Sequence, residues 1–156
     1  MNMNMNDTLA SDDSCQSGKP EELIVNTETH RTYHDNGKLK EEIELVNGER
    51  NGISKYYYET GELLYKEHYV DGKEHGITQG YYLNGKLKYE WPFNNGKEHG
   101  ISKGYYYTGQ LEWECPYIRG KKHGTLKYYS ETGQLIKEIE YVNDKEMWWT
   151  IGKYEY

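Results

Sequence analysis

The chain has 156 residues and a formal net charge of −7, room for one domain or one short repeat array. Eighteen residues are tyrosine, 17 are glycine and Ala10 is the one alanine, a composition at odds with a helical protein. Apolar residues make up 35%, and no run approaches the ~20 consecutive apolar residues of a membrane-spanning helix.

Residues 1–29 are polar, acidic and nearly free of aromatics, and read as a disordered arm with a short strand at Leu23-Ile24-Val25. Residues 1–36 carry seven acids against Lys19 and Arg31, while the remainder holds 19 acids and 17 bases. Neither part offers the basic surface that nucleic acid needs, and the acidic balance disfavours association with an anionic membrane. Cys15 and Cys115 provide neither a disulfide framework nor a paired-cysteine zinc motif. With no basic-then-apolar leader at the start, a cytoplasmic protein is expected.

From residue 30 onward the chain is a repeat domain. A partial unit, 30–36, precedes full units at 37–60, 61–84, 85–108, 109–132 and 133–156, the last serving as a cap. Each unit opens on glycine (Gly37, Gly61, Gly85, Gly109, Gly133) and has leucine at its third position (Leu39, Leu63, Leu87, Leu111, Leu135). Structural turn glycines are expected at the twelfth position (Gly48, Gly72, Gly96, Gly120) and the sixteenth (Gly52, Gly76, Gly100, Gly124).

Within a unit, Leu87-Lys88-Tyr89-Glu90-Trp91 alternates apolar and charged residues, the pattern of a strand with one covered face. Asn94-Asn95-Gly96-Lys97 then reads as a turn, Ile101 to Tyr107 as a second strand, and Thr108-Gly109 as another turn. Pro92 and Pro116 are expected to end or bulge the first strand. Short loops join antiparallel neighbours, so the prediction is all-β: an elongated single-layer antiparallel meander of stacked hairpins. In the cap, Met147, Trp148 and Trp149 read as an apolar lid.

Several ladders invite a chemical reading. His75, His99 and His123 recur at one repeat position, but equivalent positions lie two strands apart, roughly 9.6 Å, too far to converge on one metal ion. Glu42, Glu90, Glu114 and Glu138 are spaced by the same repeat, which carries no catalytic information, so a solvated charged face is expected. Cys115 reads as a buried small apolar residue. No catalytic grouping, metal site or cofactor is predicted. Tyrosine pairs such as Tyr81-Tyr82 place rings on both faces, and Tyr58, Tyr82 and Tyr106, with Trp91 and Trp113, are the candidate partner-binding residues.

The stretches Tyr69-Val70-Asp71-Gly72-Lys73-Glu74-His75-Gly76, Phe93-Asn94-Asn95-Gly96-Lys97-Glu98-His99-Gly100 and Arg119-Gly120-Lys121-Lys122-His123-Gly124 resemble the MORN repeat in its variant bacterial form. The resemblance covers about residues 30–156; the first unit departs with Asn51 in place of His, and the last loses the His-Gly pair. It implies a single-layer sheet of hairpins. Many bacterial members look like antitoxin or immunity proteins that neutralise a partner toxin, which makes a non-enzymatic binder of another protein the leading expectation. The alternatives are a membrane-surface or glycan-binding module, since the Tyr-Tyr pairs and Thr-Gly turns also look similar to choline-binding repeats, or a structural scaffold. Open sheet edges further allow homodimer pairing.

Overall fold

The computed structural model describes residues 25–147, and within them every regular element is a strand. In chain order these are β1 (Thr27–Tyr33), β2 (Leu39–Val46), β3 (Glu49–Tyr57), β4 (Leu63–Val70), β5 (Lys73–Glu74), β6 (Gly76–Tyr81) and β7 (Leu87–Asn94). They continue with β8 (Lys97–Glu98), β9 (Gly100–Tyr105), β10 (Leu111–Ile118), β11 (Lys121–Lys122), β12 (Gly124–Tyr129), β13 (Leu135–Val142) and β14 (Lys145–Glu146). All join one antiparallel sheet in which consecutive long strands are neighbours, so the chain is a meander without crossovers.

Two kinds of turn alternate. The narrow ones have two central residues, both with positive φ, as at Asn95 (50°) and Gly96 (74°). This is the hairpin turn whose twist matches that of the flanking strands, and it requires residues that tolerate the left-handed region. The wide ones close by paired bonds such as Tyr58 N to Glu62 O and Gly61 N to Tyr58 O, a three-residue loop ending on a left-handed glycine.

The sixteenth-position glycines lie in bulges, not in turns. Ile43 pairs with Ser54 and Leu45 with Arg50, so Glu44 alone faces Asn51, Gly52 and Ile53. The same arrangement separates β5 from β6, β8 from β9 and β11 from β12, and Gly100 adopts φ 121° there. It also corrects the reading of the prolines. β7 and β10 run straight through Pro92 and Pro116, and the surplus residues sit on the partner strand. Pro92 O accepts from His99 N at 2.9 Å and Pro116 O from His123 N at 2.9 Å. Proline is tolerated because the ladder is already interrupted opposite it.

The sheet begins earlier than composition suggested. β1 starts at Thr27, and Asn26 is tied to Asn47 by reciprocal bonds, so the boundary at residue 29 falls inside a strand. Val25 lies outside any strand; Leu23 and Ile24, the rest of the arm, and the Trp148–Trp149 part of the lid lie outside the described residues.

Candidate interaction surface

Register assigns side chains to two faces, because directly paired residues lie on the same side of a sheet. One face carries an unbroken cross-strand row: Tyr56 pairs with Tyr65, Tyr65 with Gly80, Gly80 with Tyr89, Tyr89 with Gly104, Gly104 with Trp113 and Trp113 with Tyr128. Large rings and glycines interlock along it. A Cβ at Gly80 would stand 2.2 Å from the Tyr89 ring, and one at Gly104 would stand 2.1 Å from the Trp113 indole. Each ring therefore lies flat over the backbone of a neighbouring strand. Where the repeat has tyrosine in place of this glycine, the ring stacks instead: Tyr56 on Tyr65, with centroids 4.2 Å apart.

The next rows of this face complete it. Cys115 and Ser102 pair, as do Ile43 and Ser54; all four are buried, together with Thr78 and Leu126. Cys115 is thus the buried small residue that its position predicted, and burial raises its thiol pKa. Trp91 stacks on Tyr89 at 4.2 Å. Tyr69 accepts a hydrogen bond from Arg50 at 3.0 Å and lies under its guanidinium at 5.1 Å. Burial pushes the Tyr65 and Tyr69 phenols up to about 12, and Tyr117 further in the same direction, so all three stay neutral at physiological pH.

The opposite face carries a charged row that mixes both signs, with Lys55 paired to Lys66 and Lys66 to Gln79 in its middle. Arg31, Glu42, Lys55, Lys66, Gln79, Glu90, Lys103, Glu114, Lys127 and Glu138 follow one another across the strands. Glu42 is bound by Lys55 at 3.0 Å and by Arg31 at 2.8 Å, and these bonds hold its carboxyl below its ordinary pKa. Along the glutamate ladder, Lys127 lies 3.8 Å from Glu114, while Glu90 accepts from Gln79 and Tyr105, both at 2.8 Å. Beside it runs an exposed apolar row, with Ile77 paired to Pro92 and Ile101 to Pro116.

The five candidate binding residues do not form one patch. Trp91 and Trp113 belong to the aromatic face. Tyr58, Tyr82 and Tyr106 stand past the strand ends at the wide turns, and each hydroxyl donates to a backbone carbonyl of the next hairpin. The acceptors are Tyr81 O at 2.9 Å, Tyr105 O at 2.6 Å and Tyr129 O at 2.7 Å. His34 extends the series with Nε2 3.0 Å from Tyr57 O. This row staples repeat to repeat. Sequence reasoning passed over Tyr56, Tyr65 and Tyr89, although the reciprocal swap of ring and glycine between adjacent hairpins was visible in the repeat alignment.

Stacked hairpins, interlocked along one face and stapled at the turns, define a single-layer β-repeat protein. The sequence profile described as MORN repeat variant matches residues 29–47, 50–71, 74–95, 98–119 and 122–143, well over half of the chain. The chain belongs to the MORN repeat variant family. Successive starts at 50, 74, 98 and 122 keep the 24-residue period read from the glycines, in a different phase. No curated protein sequence matches the chain. No helix among the described residues is long and apolar enough to cross a membrane.

Proposed function

We propose that the chain is a non-enzymatic protein-binding module whose aromatic face receives another protein. The observation that carries this reading is the continuous ring row from Tyr56 to Tyr128, a broad face of half-buried tyrosine and tryptophan with no second layer packed on it among the described residues. Such side chains combine large contact area with low conformational freedom and dominate protein interfaces. Trp91 and Trp113 remain in the proposed contact set; Tyr65 and Tyr89 join them in place of the stapling tyrosines.

The finer reading is an antitoxin or immunity protein of the cytoplasm, which neutralises a toxin by covering its active surface. Native purification of the intact protein from its own cells, followed by co-expression with whatever protein co-purifies stoichiometrically, tests this. Relief of that partner's toxicity supports neutralisation. A harmless stoichiometric partner supports a scaffold, and enrichment of lipid or saccharide without protein overturns the reading.

A further inference from the structure

We infer that the groove between the narrow turns of the third and fourth hairpins is a carboxylate-binding site, and that it takes an acidic segment of the partner protein. The inference rests on the protein-binding reading and adds the chemistry of a second contact. The groove is open, about 450 Å³, and is lined by Asn94, Asn95, Lys97, His99 and Arg119. All five are exposed, and no carboxylate lines it. Glu98, the nearest acid in sequence, pairs with Phe93 on the aromatic face and accepts from Ser102 at 3.2 Å.

The repeat supplies its own controls. Arg31 and Arg50 are ion-paired, whereas the side chain of Arg119, like those of Lys97 and His99, has no hydrogen-bond or salt-bridge partner among the described residues. Arg119 also occupies the first turn position with φ 55°, where the other narrow turns have Asn47, Asp71, Asn95 and Asn143. Asparagine and aspartate tolerate that conformation, while arginine gains nothing from it locally. The fold alone thus gives no reason for arginine here. One hairpin earlier, the equivalent turn carries an acid, Asp71, where this groove has Asn95, and its carboxylate accepts from Asn51 at 3.2 Å. His99 is exposed, whereas His75 and His123 are half-buried with an Nδ1 turned inward. Three unpaired nitrogen donors along a groove without an acid suit the oxygens of glutamate or aspartate side chains.

The test is a titration of the full chain with capped hexaglutamate, followed by amide chemical shifts at about 0.15 M salt, with capped hexaglutamine as control. Expected are saturable shifts at residues 94–99 and 119 with hexaglutamate alone. Arg119→Asn restores the residue of the neighbouring turns and keeps the fold; it should weaken binding at least about threefold, and Lys97→Gln should do likewise. Lys73→Gln, at the Asp71 turn, should leave affinity unchanged. Absence of saturable shifts, or equal losses from Lys73→Gln and Arg119→Asn, overturns the site. Hexaglutamate has no aromatic or large apolar side chain, so failure here leaves the aromatic-face reading standing, and failure of that reading leaves these shifts unaffected.

Discussion

The two faces of the sheet solve opposite problems with the same strands. On the aromatic face, burial is achieved by fitting rings to glycines and small residues: Ile43, Ser54, Thr78, Ser102, Cys115 and Leu126 are all covered there. On the other face, charges of both signs cross the strands, with Glu42 paired to Arg31 and Lys55 and Glu114 to Lys127, and the apolar side chains beside them stay in water; Ile77 is 52% exposed and Ile101 50%. A single layer has no interior, so one face must act as half of a core. Shape complementarity makes that possible on the aromatic side, whereas charged side chains leave the other side hydrated without packing it.

The comparison is broken most severely at the ring–glycine interlock. Gly104→Val places side-chain atoms where the Trp113 indole lies and should cost ~1–3 kcal/mol, read as a lowered urea midpoint. A strongly alkaline pH attacks the same face. Unfolded tyrosine ionises near ~10, and Tyr65 and Tyr69 hold their protons to about 12. Between those values the unfolded chain has lost protons that the folded chain keeps. Stability is therefore at its full value below ~10 and falls as pH rises toward ~12, which chemical denaturation at stepped pH with tyrosinate absorbance will follow.

Smaller effects sharpen the contrast. Tyr82→Phe removes the 2.6 Å bond to Tyr105 O and should cost ~1 kcal/mol in thermal or urea unfolding, because that carbonyl loses a staple between hairpins. Ile101→Ser, on the charged face, should change stability by no more than ~0.5 kcal/mol in the same assay. A large loss from Ile101→Ser with none from Gly104→Val would mean that the faces have been assigned the wrong roles.

Repeat period, hairpins and narrow turns were legible in the sequence because each is a local signal that recurs: alternation along strands such as Leu87–Trp91, and a glycine at the second position of four of the five narrow turns, Gly48, Gly72, Gly96 and Gly120. The bulge was legible only in part: Pro92 and Pro116 marked an irregularity, but not that its surplus residues lie on the partner strand. Gly100 and Pro92 each have a familiar meaning alone, as turn and strand breaker, and only cross-strand register shows that they face each other across one irregularity, with the Pro92 ring 3.0 Å from where a Gly100 Cβ would stand. The tyrosine rows show the same limit. Alternation separates Tyr81 from Tyr82, but the wide turn begins at Tyr82, where alternation ceases to assign a face, and its hydroxyl reaches a neighbouring backbone carbonyl. The face of Trp91 and Trp113 was legible because they stand within regular strands.

The most direct measurement compares the affinity of the co-purified partner for two double variants, each first confirmed folded by its unfolding transition. Tyr65→Ser with Trp91→Ser strips the aromatic face; Ile77→Ser with Ile101→Ser strips the apolar row of the other. The account predicts a loss of at least about tenfold for the first pair and less than about twofold for the second. The reverse order would contradict it and move the binding surface to the charged face.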